Sequence, residues 1–265
     1  MMGARVCSAL VAGLLLAASP VSSQERFDWD QQMASGDFLE VKGISGDIRT
    51  VLSPDGTARV TAEKRGRTGD FERVQIVVEE HRNGVTVCAH YGYHDEPADH
   101  CDHDHHDDRD HGRNRRIDVS VDFLVQVPAG VEFEGSMVSG DVRAEGLRSD
   151  VTATSVSGNV EVSTTGVARG STVSGSIDVE MGSDDWDDLD YHTVSGNITV
   201  YMPSDIGAEV RFESLSGDID ADFPISMDRS DRRWAGSRVR GTIGDGSRRM
   251  SFRTVSGDVR LRALR

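Results

Sequence analysis

The chain has 265 residues, with 45 acidic against 29 basic side chains and a formal net charge of −16. Affinity for nucleic acid rests largely on neutralising phosphates with lysine and arginine, so so acidic a body excludes nucleic acid as the expected partner. The length allows one or two domains, and no run after residue 23 is apolar enough to cross a bilayer as a helix, so no membrane span is expected.

Residues 1–23 read as a signal peptide. Arg5 precedes an apolar run from Ala9 to Ala18, and small residues follow as far as Ser22 and Ser23, the order of a secretory leader cleaved near Ser23. The run is about half of the ~20 apolar residues that a spanning helix needs. Export is therefore expected, to the periplasm or to the cell surface and exterior. Cys7 stands before the apolar run, not after it where a lipidated cysteine would sit, and the closing "VRLRALR" has neither a hydrophobic tail nor a terminal aromatic. A soluble or peripherally attached product is the expectation.

Residues 24–134 read as an N-terminal β-rich part. "TARVTAEKRG", "RVQIVVEEHRNG", "VTVCAHY" and "RIDVSVDFLVQVPAGVEFEG" alternate apolar with polar residues and are punctuated by "SPDG", "RNG" and "PAG", the pattern of half-buried strands joined by turns. Helical periodicity is nearly absent. Cys88 and Cys101 remain after leader removal. In an oxidising compartment they are expected to form a disulfide, and closing so short a loop contributes about 3 kcal/mol. The alternative is a pair of thiolate metal ligands.

Within this part, residues 90–116 form a His/Asp-rich loop. "HYGYHDEPADHCDHDHHDDRDHG" holds seven of the nine histidines among eight acidic residues, and imidazole and carboxylate both ligate Zn, Cu or Ni. The candidate metal residues are His94, His100, Asp102, His103, Asp104, His105, His106 and His111. A defined site needs three or four ligands held in fixed geometry, whereas this tract reads as a solvated loop. No cofactor is expected beyond weakly bound metal. The tract also gains positive charge as pH falls through about 6.5.

From residue 135 to 265 one phrase recurs. It reads "MVSGDVRA" around Gly140, "SVSGNVEV" around Gly158, "TVSGSIDV" around Gly175, "TVSGNITV" around Gly196, "SLSGDIDA" around Gly217 and "TVSGDVRL" around Gly257. An earlier copy, "GISGDIRT", surrounds Gly46. From Gly140 onward the glycines are 18, 17, 21, 21 and 40 residues apart, the last close to two units. Such a period points to a solenoid. Strand alternation puts Val173, Gly175, Ile177 and Val179 on one apolar face and Ser174, Ser176 and Asp178 on the other, with glycine where backbones approach closely.

One such unit has too little core to fold alone. Three buried aliphatic side chains contribute ~1.5–3 kcal/mol each, against ~1–2 kcal/mol of backbone entropy for every residue ordered. Stacked units cover one another. The expected fold is therefore all-β: a right-handed parallel β-helix, or solenoid, with rungs of about 20 residues. Irregular β-hairpins or wider rungs precede it, continuous with it as one domain. Polar residues after each glycine are expected to form outward ladders at the turn.

Two features interrupt the repeats. "SDDWDDLDY", Ser183 to Tyr191, is expected to be an exposed acidic loop offering Trp186 as a contact residue; its spacing matches no EF-hand. Ile225 to Arg265 carries eleven Arg against four Asp. The last strand, with Arg260, Arg262 and Arg265 and with Arg253 just upstream, is expected to be a charged open edge that discourages sheet-to-sheet aggregation. The alternative is a patch for anionic envelope polymers.

The repeated "TVSGD" and "SVSGN" units behind a leader, with "VPAG" and "YMPSD" between strands, resemble the bacterial exported putative-adhesin family of domains of unknown function over roughly Phe38 to Leu264. The resemblance implies a β-helical envelope protein and carries over no catalytic residue. The His/Asp tract departs from that pattern. No HExxH, GxSxG or GxxxxGK[ST] motif occurs, and the serine of the repeat recurs at seven structural positions, which makes it a poor nucleophile candidate. The expectation is a non-enzymatic adhesin-like, scaffold or interaction module. Its partner would be an envelope or surface protein or glycan, with self-association through the solenoid ends. The rivals are a metal-binding or metal-sensing envelope protein and a polysaccharide-active enzyme using paired carboxylates.

Overall fold

A computed structural model describes residues 24–66, 70–92, 100–101, 117–227 and 237–264. The expected leader, residues 1–23, therefore lies outside the described residues. In chain order the strands are β1 (Gln24–Gln32), β2 (Phe38–Ser45), β3 (Ile48–Leu52) and β4 (Thr57–Gly66), then a short 3-10 turn (Asp70–Arg73), β5 (Val74–His81) and β6 (Gly84–Tyr91). Next come β7 (Val119–Val127), β8 (Glu132–Ser139), β9 (Val142–Leu147), β10 (Val151–Ser157), β11 (Val160–Thr164), β12 (Ala168–Ser174) and β13 (Ile177–Met181). The remainder are β14 (Asp188–His192), β15 (Ile198–Met202), β16 (Ala208–Ser216), β17 (Ile219–Ala221), β18 (Ser226–Met227), β19 (Ser237–Ile243), β20 (Arg248–Ser256) and β21 (Val259–Ala263).

The strands form two large, mostly parallel sheets. Sheet A runs β1-β4-β7-β3-β9-β11-β13-β15-β21-β17, and sheet B runs β18-β19-β16-β20-β14-β12-β10-β8-β2-β6-β5. A coil is one strand of sheet B, a corner, and one strand of sheet A. Equivalent positions on neighbouring coils are direct partners: Phe133 with Val151 and Val151 with Ala168 in sheet B, Ile177 with Ile198 in sheet A. The inward residues of both sheets, among them Val142, Val160, Ile177, Ile198 and Val259 in one column, are buried in a common core.

Coil order in space departs from chain order at both ends. It runs β6–β7, β2–β3, β8–β9, β10–β11, β12–β13, β14–β15, β20–β21, β16–β17. At the N-terminal end the second coil of the chain stacks outside the first. The hairpins expected there are reduced to caps, with β4 antiparallel on β7, β1 on β4 and β5 on β6. At the C-terminal end the last repeat folds back between its two predecessors, and β19 then closes sheet B antiparallel to β16.

This placement corrects the expectation of a charged terminal edge. Strand β21 is interior, paired with β15 on one side and β17 on the other. Arg262 bonds Asp220 at 2.7 Å and Asp222 at 3.1 Å in the outermost coil, and Arg260 bonds Asp258 at 2.6 Å. Arg262 thus ties two coils together while Arg260 is held within its own, and the edge of sheet A is the three-residue β17. Arg265 lies outside the described residues. Aromatic stacking favours the insertion too: Phe252 of β20 sits between Tyr191 of β14 at 5.6 Å and Phe212 of β16 at 5.0 Å, ring centre to ring centre.

The acidic insertion is likewise corrected. Asp188–His192 is strand β14, Leu189 and Tyr191 are core residues, and Trp186 is buried. The Tyr191 hydroxyl donates to the Ala168 carbonyl at 2.6 Å. Burial pushes its pKa well above the ordinary tyrosine value. Leu189 and Tyr191 at alternate positions, with Trp186 three residues before Leu189, drive this segment inward, while the aspartates between them face solvent.

Candidate interaction surface

The glycines of the repeat form a column in which backbone meets backbone. A Cβ on Gly158 would lie 2.0 Å from the Gly140 carbonyl oxygen, one on Gly175 2.0 Å from that of Gly158, and one on Gly196 1.9 Å from that of Gly175. The column continues through Gly257 to Gly217 in the folded-back order, and at its start Gly140 packs on Gly46 and Gly46 on Val121. Gly175, at φ 152°, is also in a conformation that side-chain-bearing residues rarely adopt.

Just inside the column is a row of hydroxyls. Ser155 donates to the Gly140 carbonyl at 2.9 Å, Thr172 to Gly158 at 2.9 Å, Thr193 to Gly175 at 3.0 Å, Thr254 to Gly196 at 3.3 Å and Ser214 to Gly257 at 3.3 Å. Each coil thus satisfies a partly buried carbonyl of the coil before it. The sequence signal is a Ser or Thr three residues before the glycine, and the reading of alternation alone passed over it. The two N-terminal copies lack it, having Gly43 and Met137 there.

Just outside the column runs a second ladder. Asp122 accepts from the amide of Asp47 (3.0 Å), Asp47 from Asp141 (2.9 Å), Asp141 from Asn159 (2.8 Å), and Asn159 from Ser176 (2.9 Å). Ser176 then accepts from Asn197 (3.3 Å), Asn197 from Asp258 (2.9 Å), and Asp258 from Asp218 (3.0 Å). A side chain that accepts its neighbour's amide explains why Asp, Asn and Ser alone follow the glycine.

Between the buried hydroxyl and the glycine, two consecutive residues face solvent, and strict alternation breaks. Thr172 is buried, Val173 and Ser174 are exposed, and Ile177 is buried again. The valines therefore point outward, contrary to the expected inward face. Val138, Val156, Val173, Val194, Val255 and Leu215 are 46–63% exposed and follow one another in coil order. At the ~4.8 Å spacing of parallel strands they make an aliphatic stripe about 25 Å long, flanked by the exposed serines.

A family model described as Toastrack DUF4097 matches residues 130–262. The chain belongs to the Toastrack DUF4097 family. The matched Toastrack segment takes in the coils from β8 to β21 and so carries the whole stripe. A search of curated proteins found no significant match. Among solved structures, the Toastrack chain is similar to a "putative cell adhesion protein" from Clostridium sporogenes, with TM-score 0.46 and 8% identity, over 91% of this chain and 100% of that one. A "putative adhesin" from Bacteroides fragilis gives TM-score 0.38 and 13% identity over 91% and 98% of the two chains. A "putative lipid binding protein" from Parabacteroides distasonis gives 0.24 and 11% over 89% and 96%.

Outside the Toastrack segment, Cys88 and Cys101 form a disulfide across 13 residues of sequence. Cys88 faces outward from β6, so the bridge pins Cys101 to the outer surface of sheet B beside Val77. The Cys101 amide bonds Glu79 at 3.2 Å, and His100 Nδ1 stands 3.8 Å from the same carboxylate. The disulfide rules out thiolate ligation by this pair. Of the candidate metal residues, His94, Asp102, His103, Asp104, His105, His106 and His111 lie outside the described residues. No cluster of three metal-ligating side chains occurs among the described residues. A cleft of about 660 Å³ lies where β6 and β7 flank the tract, lined by Ile44, Arg65, Tyr91 and Ile117 among others. Burial pushes Tyr91 up to about 12, and its hydroxyl donates to the Val119 carbonyl at 3.2 Å.

Proposed function

We propose that this protein is an exported, non-enzymatic interaction module of the bacterial envelope, adhesin-like or scaffolding, built as a right-handed β-solenoid with coils of about 20 residues. The observation that supports it is the aliphatic stripe. Val156, Val173 and Val194 contribute nothing to the core, which the buried residues on either side of them already fill, yet they present apolar area to water in an unbroken row. Contiguous exposed apolar surface rimmed by polar groups marks an interaction site, and a stack of hydrogen-bonded coils holds it rigid, so little ordering entropy is lost on contact. Among the described residues no helix is long and apolar enough to cross a membrane.

The test is adhesion of beads coated with the purified protein to immobilised envelope surface proteins, compared with the triple variant V156N, V173N, V194N. The expected result is binding by the parent and at least a tenfold loss in the variant, with unchanged circular dichroism. Equal adhesion by both proteins, or turnover of a polysaccharide, would refute the reading.

A further inference from the structure

The fold-back of the last repeat concentrates arginines on the outer face of sheet B, where β14, β20, β16 and β19 lie side by side. Cross-strand partners make three rows there. Asp188, Arg249, Glu209 and Thr242 form the first, Asp190, Ser251, Arg211 and Arg240 the second, and His192, Arg253, Glu213 and Arg238 the third. The rows are about 7 Å apart and the columns about 4.8 Å. The face is concave, enclosing a groove of about 830 Å³ lined by Arg211, Arg240, Arg249 and Arg253.

The carboxylates in this grid orient the arginines without using up their donors. Glu213 takes Arg211 at 2.5 Å and Arg238 at 3.0 Å, so two cations share one anion. Burial alone would raise the Glu213 pKa, but Arg211, helped by Arg238 and Arg253, holds it below the ordinary value. Arg253 contacts Asp190 through Nη2 only, and Arg249 approaches Asp188 at 3.5 Å through Nε. A guanidinium carries five N–H donors in a planar fork that matches carboxylate, sulfate and phosphate oxygens. The net charge of the whole chain does not forbid this, because charges beyond about 10 Å are largely screened at 0.1 M salt.

We infer that this groove binds a linear acidic glycan through its carboxylate, sulfate or phosphate groups. The lining selects against other partners. Among the described residues no aromatic side chain lines the groove, so these residues give nucleobases and neutral sugar rings nothing to stack on. A protein partner would find no apolar or aromatic pocket to anchor it. The hydroxyls of Ser226, Thr242 and Ser251, by contrast, stand among the arginines, where sugar hydroxyls would meet them.

The test uses fluorescence anisotropy of labelled heparin and polygalacturonate oligosaccharides at 50 and 300 mM NaCl, with neutral dextran, poly-glutamate and duplex DNA as comparisons. The expected result is saturable binding of an acidic glycan that weakens at least tenfold at the higher salt. R211Q with R253Q is expected to weaken it at least tenfold. Because that variant also removes ion pairs, S251E, which removes none, is the second variant and is expected to weaken binding as well; R49Q, on the opposite sheet, is expected to leave it unchanged. No binding at 50 mM NaCl, no effect of S251E, or equal affinity for poly-glutamate or DNA would each overturn the inference. The stripe variant V156N, V173N, V194N retains glycan binding on this account, so the two sites stand or fall separately.

Discussion

At the scale of single residues, the repeat is a device for bringing backbones close without leaving polar groups unpaired. G175A puts a methyl group 2.0 Å from a fixed carbonyl oxygen and forces a φ of 152° on a residue with a Cβ, so a loss of about 3 kcal/mol or more is expected in urea unfolding. T172V keeps the shape but leaves the Gly158 carbonyl without its side-chain donor, which costs about 1–3 kcal/mol. Val173, one position on, is exposed, and V173N is expected to change stability by less than about 0.5 kcal/mol. If V173N destabilises as much as T172V, the inside and outside assignments are reversed. Glu134 supplies a pH signature. Burial, then the neighbouring Glu40, raises its pKa. A carboxyl raised in the fold opposes folding once ionised, so the penalty is absent below the unfolded value of about 4.3 and present above the folded one. E134Q is therefore expected to raise the melting temperature at pH 7 and not at pH 3.

At the scale of elements, the sequence carried the period and the strand character, because both depend on local alternation and on glycines at fixed intervals. Alternation alone does not reveal the corner. The two-residue outward step at Val173 and Ser174 depends on a hydroxyl in one coil meeting a carbonyl in the next, a contact between residues 14 apart in the chain. The insertion at Ser183–Tyr191 reads as acidic and exposed when its composition is averaged, and as a strand only when Trp186, Leu189 and Tyr191 are taken as inward residues. Fold-back is less legible still. The 40-residue gap before Gly257 fits two more units in series equally well, and only the Phe252 stack and the Arg262 bridges, made by residues distant in sequence, choose the interior slot. Removing residues 248–265 is therefore expected to leave β16 and β17 without their parallel partners and to unfold the C-terminal coils. Serial stacking predicts instead the clean loss of one end rung. Hydrogen exchange in β16 distinguishes the two outcomes.

At the scale of the whole molecule, the two sheets form one stack with unlike surfaces: an aliphatic stripe along one corner, an arginine grid on the outer face of sheet B near one end, and the Cys88–Cys101 disulfide on the same sheet near the other. The stripe was not visible in the sequence as a site, and the basic C-terminal end was visible only as the alternative to a charged edge. The stripe valines looked like core because strict alternation was carried through the corner, and the arginines looked like an edge because chain order was taken for spatial order. The most direct test of the stacking on which these surfaces depend is cysteine cross-linking. Ser195 pairs with Ser256, and Ser216 with Ser256, so Ser195 and Ser216 are two coils apart. The account predicts rapid oxidation of the S195C, S256C pair to a disulfide and none for S195C, S216C, since bridging needs Cα atoms about 4.4–6.8 Å apart. Ready bridging of S195C to S216C, with none to S256C, would contradict it.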